Sequence, residues 1–472
     1  MTTLRFHGSA AVLLLPLALF VAVTARLFIS EAAFDLTGLA AAGVLTLFSG
    51  SLLAKAPSEY WKAAVRGASS ELTGTVVLIL IASGIFSAMM KASGVADGLV
   101  FLGGMLHLTG HAFTVFVLLA SSLMAAATGS SIGTLLAAMP IFFPAGVALG
   151  ADPAMLAGAV LSGAIFGDNL APVSDVTVIS SVTQRFRDGT PADIAGVVRT
   201  RLPYAMTALA VSMPVYAFMG ASRPVSEAAL SGDASALLML VPVAVLIAVA
   251  VRTRDVLMAI SAGAVTGTAT GLLIGRLSFA TIFAAVDSRL SGFLISGISN
   301  VSPIILLCVT LFAFTGIVRE AGVPDMMAKA LEAGSAGRPS ALRTELFLSA
   351  ATLVVTTLFA AVTSASVALV GSLTDDIGRA SNVHPYRRSH ILSGLANSLP
   401  VLMPFSAFVL ITMAAVSGLE GAAAVTPFTL MTAAFYPIAL FLVFGFMVLT
   451  GTGRMMETPE PEAAEAKTAT AL

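Results

Sequence analysis

Gly167-Asp168-Asn169-Leu170-Ala171-Pro172 interrupts an otherwise apolar stretch that runs from Ala154 to Ser181. Proline has no amide hydrogen and its ring clashes with the carbonyl group four residues earlier, so a helix does not pass Pro172 unbroken. In lipid, unwound backbone survives only where it faces protein or a water-filled cavity. The stretch therefore predicts a broken helix beside an internal cavity.

The composition of the whole chain indicates that lipid is its main solvent. Of 472 residues, 57% are hydrophobic and 10% are charged, whereas soluble domains carry about 25% charged residues. Apolar runs near the bilayer-spanning length of about 20 residues recur along the sequence. A cytosolic enzyme is thereby excluded, and because no basic patch is present, so is a nucleic-acid partner. The only cysteine, Cys308, lies in an apolar run, so no internal disulfide is expected.

Two halves of the chain share short motifs in the same order. Lys91-Ala-Ser-Gly-Val-Ala-Asp97 returns as Arg319-Glu-Ala-Gly-Val-Pro-Asp325, and Leu161-Ser-Gly163 returns as Leu392-Ser-Gly394. The second half also has its own interrupted stretch, Ser389–Ala415, with Asn397-Ser-Leu-Pro-Val-Leu-Met-Pro404 in the middle. We predict two repeats, residues 1–220 and 235–453, followed by a disordered cytoplasmic tail, residues 454–472.

Each half contains one apolar stretch that is too long for a single span. These stretches are His111–Leu149, with Thr128-Gly-Ser-Ser131 in its middle, and Thr344–Ile377, with Thr363-Ser-Ala-Ser366. A span needs about 20 residues, so each stretch is interpreted as a helical hairpin with a polar tip. Two full spans in place of each hairpin would leave the topology of the loops unchanged, and this alternative stays open.

Lysine and arginine test the orientation, because they concentrate in cytoplasmic loops. If both hairpins return to the side they entered, 19 of the 24 basic residues fall in loops on the side of the N-terminus, among them Arg199, Arg201, Arg387 and Arg388. This asymmetry predicts about ten crossings plus two hairpins, with both termini in the cytoplasm. Five crossings in each half would give the repeats opposite orientations. The predicted fold class is thus an all-α polytopic membrane protein of two inverted-topology repeats, each with about five spanning helices, a helical hairpin and a broken helix.

Asp168 and Asp175 are the only carboxylates deep within an apolar segment. Two such residues cost roughly 5–7 kcal/mol on the insertion scale, so a local interaction must offset the cost. One interpretation is structural, in which backbone amides, Ser174 and Thr177 hold both carboxylates at the break. The functional interpretation is a site for sodium, because a small hard cation takes oxygen ligands.

Neutral oxygens from other segments complete the predicted ion site. The site residues besides the two aspartates are Asn169, Ser174 and Thr177 at the first break, Ser130, Ser131 and Thr134 at the first hairpin, Ser364 and Ser366 at the second hairpin, and Asn397, Ser398 and Ser406 at the second break. For each separate hydroxyl, helix packing is the competing role. Gly129-Ser-Ser-Ile-Gly133 formally fits a nucleophile elbow, but that motif needs a preceding strand and here follows an apolar helix.

The stretch Gly167-Asp-Asn-Leu-Ala-Pro-Val-Ser-Asp-Val-Thr177, together with Gly129-Ser-Ser-Ile-Gly-Thr134, resembles the NhaC-type sodium/proton antiporter family of the ion transporter superfamily. The resemblance implies that Asp168, Ser174, Asp175 and Thr177 take the family's ion-site positions. It also implies a homodimer with a static scaffold and a moving transport part. Asn169, Ala171 and Val176 depart from the family's His, Ser and Thr, and the departures leave the substrate open.

Two functional hypotheses follow, neither of them enzymatic. The first is a secondary active sodium/proton antiporter in the bacterial inner membrane that works by alternating access, which inverted repeats supply. The alternative is a sodium- or proton-coupled carrier of a small organic acid or amino acid, and a channel or membrane enzyme is a third interpretation. We expect no resident cofactor, only a transported sodium ion and proton. The expected partners are the lipid bilayer, small ions and a second copy of the chain.

Overall fold

The computed structural model describes residues 4–8, 10–27, 36–221, 233–253, 255–286, 289–323 and 340–457. Nearly all of these residues are helical. The helices, in chain order, are α1 (Leu14–Ala25), α2 (Leu36–Leu53), α3 (Pro57–Ala68), α4 (Glu71–Ser93), α5 (Val95–Met105), α6 (Gly110–Thr128), α7 (Ser131–Ala148), α8 (Pro153–Leu170), α9 (Asp175–Val182), α10 (Ile194–Met219), α11 (Leu240–Thr253), α12 (Val256–Leu273), α13 (Phe279–Ile282), α14 (Phe293–Glu320), α15 (Ala341–Leu358), α16 (Thr363–Ala380), α17 (Pro385–Ala396), α18 (Ala407–Val416), α19 (Pro427–Ala433) and α20 (Phe435–Thr450).

Helix length and composition confirm a polytopic membrane protein. Within the described ranges, nine helices are long and apolar enough to cross a bilayer, and counting each of two bent pairs as one span gives eleven. The fold departs from the all-α prediction at one small feature, an antiparallel hairpin of β1 (Ala284–Val286) and β2 (Arg289–Ser291). Gly292 follows it with φ of 110°, where a side chain would also collide with the Ile282 carbonyl group.

Hydrogen bonds identify which segments share each end of the helix bundle. At one end, the amide of Gly110 donates to Leu149, and the amide of Asp152 donates to Gly220. We call this the Gly220 end. At the other, the Asp193 end, the hydroxyl of Tyr386 donates to Asp193, and this bond holds the pKa of Asp193 below its usual value. Because α10 begins at the Asp193 end and finishes at the Gly220 end, it crosses the whole bundle.

The two hairpins enter the bundle from opposite ends. The α6–α7 hairpin starts at the Gly220 end, and its tip residue Gly129 packs against Val173 in the break between α8 and α9. From that break α9 runs another eight residues, about 12 Å, so the tip stops short of the Asp193 end. The α15–α16 hairpin starts at the Asp193 end, and its tip carbonyl at Ala360 accepts from the amide of Ala407. The wider relation of the two halves as inverted repeats stays a prediction.

The first break lies slightly later than the sequence predicts. The amide of Ala171 still donates to Gly167 at 2.8 Å, so α8 continues through Leu170 and the unwound residues are 171–174. Pro172 ends the helix because it has no amide hydrogen to donate. Asp168 and Asn169 are therefore helical residues in the last turn of α8, and they point in different directions.

The last span is divided, which the sequence analysis did not predict. Helices α19 and α20 meet at Ala434 with a bend of 54°. Tyr216 repairs the broken hydrogen-bond ladder, since its hydroxyl accepts from the amide of Phe435 at 3.0 Å and donates to the carbonyl of Ala433 at 2.8 Å. A phenol from α10 thus stabilises the bend.

Several charges assigned to loops are buried instead. Arg387 lies 3.0 Å from Glu345, and both side chains are fully buried, while Arg388 lies 2.6 Å from Asp375. Arg454 also binds Glu345, at 3.0 Å, so the predicted disorder is wrong for the start of the tail, where residues 454–457 pack on the fold. Residues 458–472 lie outside the described part of the chain.

Candidate ion site

The tips of both hairpins and the first helix break enclose one internal cavity of about 170 Å³. Its polar lining comes from the tips and the break, and its apolar lining comes from α4, α7, α9, α14, the second hairpin tip and α18. The polar residues are Ser130, Ser131, Asp168, Asp175, Thr363 and Ser364. Charges in such an apolar enclosure interact more strongly than they would in water.

Asp168 connects the broken helix to the first hairpin. Its carboxylate is 4% exposed, and the hydroxyl of Ser131 donates to its Oδ2 at 3.1 Å. Ser131 is the first residue of α7, and the preceding Ser130 caps that helix by accepting from the amide of Gly133 at 3.1 Å. The hairpin tip is therefore fixed by its own cap and presents a hydroxyl to the buried carboxylate.

Asp175 occupies a different environment on the same cavity. It is the first residue of α9, where the free amides of a helix N-terminus favour a negative charge. Its side chain is exposed, which corrects the prediction that both aspartates lie deep in an apolar segment. The reason is the position of the break, since α9 begins at Asp175 and leaves this carboxylate at the mouth of the cavity.

Five of the thirteen predicted site residues line the cavity together: Ser130, Ser131, Asp168, Asp175 and Ser364. Thr363, also a hydroxyl of the predicted second hairpin tip, lines it as well. Three predicted hydroxyls bond instead to main-chain oxygens within their own segments: Ser366 to Val362, Ser398 to Leu395 and Ser406 to Val401. Short-range bonds of this kind satisfy a hydroxyl where a helix begins or turns.

The remaining five predicted residues are not part of the cavity lining. Thr134 lines a separate small pocket beside Val256. Asn397 is fully buried, and within the described residues its side-chain amide has no hydrogen-bond partner. Ser174 is buried in the unwound segment, where its amide donates to Ala171 and its side chain faces the carboxylate of Asp168. Asn169 and Thr177 both contact Arg201.

Arg201 is the main residue of this region that sequence reasoning misplaced. It was counted among cytoplasmic loop charges, yet it is fully buried on α10. Its guanidinium donates to the carbonyl of Asn169 at 2.9 Å and to the hydroxyl of Thr177 at 3.3 Å, which joins the two sides of the break. Further bonds to hydroxyls of Ser180, Ser389 and Ser393 tie the break to α17.

The environment of Arg201 is unusual for a buried charge. In the described part of the chain, all of its hydrogen-bond acceptors are neutral oxygens, although buried charges are normally paired. Asp168 directly precedes Asn169, the residue whose carbonyl group accepts from Arg201. A sequence signal existed, since Arg201 shares one helical stripe with the buried Ala205, Ala208 and Ser212.

Comparisons with known proteins show which family the chain resembles. Residues 3–221 match the model of the Na+/H+ antiporter family, which confirms the resemblance predicted from the sequence. The malate-2H+/Na+-lactate antiporter of Bacillus subtilis is 33% identical over 34% of this chain and 32% of its own length. The Na+/H+ antiporter NhaC of Alkalihalophilus pseudofirmus is 28% identical over 54% of this chain and 58% of its own length.

The chain thus aligns with about a third and about three fifths of the lengths of these two relatives. Among solved structures, the YdaH transporter of Alcanivorax borkumensis is similar with a TM-score of 0.39 and 12% identity, over 83% of this chain and 88% of that one. Both relatives are named as antiporters.

Proposed function

We propose that this chain belongs to the Na+/H+ antiporter family and exchanges sodium ions for protons, and that both bind at Asp168 and Asp175. The observation that carries the proposal is the meeting of two carboxylates with both hairpin tips at one cavity. Carboxylates and hydroxyls are the ligands that a small hard cation prefers once it leaves water. Ser130, Ser131, Thr363 and Ser364 supply the neutral oxygens.

Exchange follows from competition for the same oxygens. A buried carboxylate without a partner is costly in an apolar medium, and either a proton or a sodium ion cancels its charge. A site loaded with either cation can move through the apolar interior, whereas an empty, charged site cannot. Sodium movement in one direction is thereby coupled to proton movement in the other.

The hairpins give a physical basis for alternating access. One tip reaches the cavity from the Gly220 end and the other from the Asp193 end, so withdrawal of either tip would open the cavity to one side only. We propose that the hairpins and broken helices move against a scaffold formed by the other helices. We also propose that two copies of the chain form the functional unit in the bacterial inner membrane, with both termini in the cytoplasm.

A second candidate is the coupled exchange of a small organic acid. The cavity, at about 170 Å³, is several times the volume of about 30 Å³ that one water molecule occupies in the liquid. A small carboxylate accompanied by cations would also fit there. The name of the Bacillus subtilis relative, an antiporter of malate and lactate, supports this candidate.

Vesicles that contain the purified protein test the primary proposal. A sodium gradient should drive proton movement, and Asp168→Asn and Asp175→Asn should each abolish it. Asp255→Asn is the matched control, because Asp255 caps α12, is not part of the cavity lining, and asparagine caps equally well. Full exchange in both single variants would refute the site assignment. Loss of sodium dependence with continued movement of an organic acid would favour the second candidate.

A further inference from the structure

A second, larger cavity opens at the Gly220 end of the bundle. It has a volume of about 500 Å³, and its polar lining includes Ser87, Lys91, Ser296, Asn300 and Ser417. We call it the vestibule. Its position follows from its floor, since Lys91 donates to the carbonyl of Gly418 and the nearby Gly421 packs beside Val147 and Pro153 at the Gly220 end.

A narrow pocket continues from the vestibule toward the interior. It shares Ser87, Asn300 and Ser417 with the vestibule and adds Ser83 and Leu136 from deeper in the bundle. Ser83 points toward α7, because its hydroxyl donates to the carbonyl of Leu136 at 2.9 Å. The polar surface therefore extends inward along α4 and α14.

Three helices connect this polar surface with the cavity that holds Asp168 and Asp175. Each of them contributes residues to the vestibule or pocket at one level and to that cavity at another. Residues spaced three or four apart lie on one helix face. The faces that connect the two cavities carry Val76, Leu80, Ser83, Ser87 and Lys91 on α4, Phe312, Cys308, Ile304, Asn300 and Ser296 on α14, and Phe408, Ile411 and Ala415 on α18.

We infer that this seam between α4, α14 and α18 is the passage by which the transported solute moves between the Gly220 end and the ion site. Leu80 and Ile304 occupy the stripe positions between pocket and cavity, Ile411 lines the cavity four residues before the pocket residue Ala415, and all three are buried. They form an apolar plug that closes the passage in this structure. Eleven residues of α4 separate Ser87 from Val76, so the route between them is about 16 Å long.

The inference rests on the proposed transport function, which says that a solute must reach Asp168 and Asp175 from each side. The structure offers a polar entrance, an apolar constriction and the ion site in a line along the same three helix faces. A water-filled route needs polar lining or a gap wide enough for water, and the plug has neither. Movement of α18 away from α4 and α14 would open it.

Native Cys308 is a built-in reporter for the plug, since it lines the ion-site cavity on the inner side of Ile304. A membrane-impermeant thiol reagent applied from the Gly220 end should modify Cys308 slowly in the native protein. Leu80→Ala and Ile304→Ala should each raise the rate about tenfold, which corresponds to a shift of about 1.4 kcal/mol in the opening equilibrium. Matched controls are Leu78→Ala and Ile298→Ala, whose side chains are 53% and 43% exposed on other faces of the same helices.

Equal labelling rates in plug and control variants would overturn the passage. If a plug variant does not fold, Ser417→Cys in a Cys308→Ala background provides the second measurement. Its modification from the Gly220 end should block transport, whereas modification of Phe279→Cys, a highly exposed position outside the vestibule, should not. The labelling of Cys308 does not depend on which solute is transported. If the plug variants are labelled faster but the native protein shows no sodium/proton exchange, the proposed function is refuted and the passage is not. If the native protein exchanges sodium for protons, but the plug variants are labelled at the native rate and modification of Ser417→Cys does not block transport, the passage is refuted and the proposed function is not.

Discussion

The hydroxyl of Ser131 donates a hydrogen bond of 3.1 Å to the carboxylate of Asp168, and this contact joins the tip of the first hairpin to the last turn of the broken helix. It bridges two elements that come 37 residues apart in the chain. If the hairpin moves relative to α8, this bond must break, and it persists only if Ser131 and Asp168 move together. The proposed ion site therefore includes a contact that the transport cycle would change.

Ser131→Ala should weaken sodium binding. A hydrogen bond to a charged group contributes about 1.5–3 kcal/mol, so the apparent affinity should fall roughly tenfold or more, measured as the sodium concentration that gives half-maximal exchange. Ser122→Ala is the control, since this buried serine of α6 bonds only to the main-chain oxygen of Leu118. Equal affinities in the two variants would remove Ser131 from the site.

Arg201→Gln should change sodium affinity in the opposite direction. Arg201 and Asp168 interact electrostatically, and at an effective dielectric constant of 20 two unit charges interact by about 4 kcal/mol at about 4 Å and by less at larger separations. Loss of the buried positive charge near Asp168 should therefore tighten sodium binding by about tenfold or more, while Arg201→Lys should keep the native affinity. Arg199→Gln, on the exposed side of the same helix, is the control. Weaker binding in Arg201→Gln would mean that the arginine acts only through packing.

Glu345→Gln should destabilise the folded protein. Glu345 is fully buried and accepts from both Arg387 and Arg454, and removal of one member of a buried ion pair costs about 3–5 kcal/mol. Thermal unfolding in detergent measures the effect. The partly exposed Glu320, paired with Arg66, is the comparison, since Glu320→Gln should cost at most about 1 kcal/mol. Similar melting temperatures for the two variants would contradict the buried ion-pair assignment.

Single cysteines in a Cys308→Ala background should report the orientation. Thr190→Cys lies near the Asp193 end and Glu420→Cys near the Gly220 end, and both positions are exposed. An impermeant reagent should label Thr190→Cys only from the cytoplasm and Glu420→Cys only from outside, because the topology predicted from the sequence places 19 of the 24 basic residues on the side that includes Thr190. Labelling of both from one side would exclude the proposed topology.

The sequence predicted the elements that depend on local signals. Pro172 and Pro404 mark two breaks, and the polar residues at 129–131 and 363–364 mark two tips, because proline and unpaired backbone have strong local consequences in lipid. The cavity-lining residues predicted from the sequence lie at helix ends. Ser131 and Asp175 are the first residues of α7 and α9, and Asp168 lies in the last turn of α8.

Other parts of the site depend on the direction in which each side chain points from its helix and on how deeply it is buried. Short sequence motifs do not encode either property. The continuation of α8 to Leu170 turned Asn169 away from Asp168 and toward Arg201. Ser366, Ser398 and Ser406 satisfy their hydroxyls with nearby carbonyl groups, a choice that depends on local helix geometry. Arg201 was assigned to a loop together with Arg199. On the same helix, however, Arg199 is exposed and Arg201 is fully buried.

The measurement that tests the central claim most directly is the affinity of the purified protein for sodium as a function of pH. If protons and sodium compete for Asp168 and Asp175, the apparent dissociation constant should rise as pH falls and approach about a tenfold increase per pH unit, as linkage at one shared site requires. Sodium binding should release protons in the same range, and Asp168→Asn should abolish both effects. A sodium affinity independent of pH, with no proton release, would contradict the account.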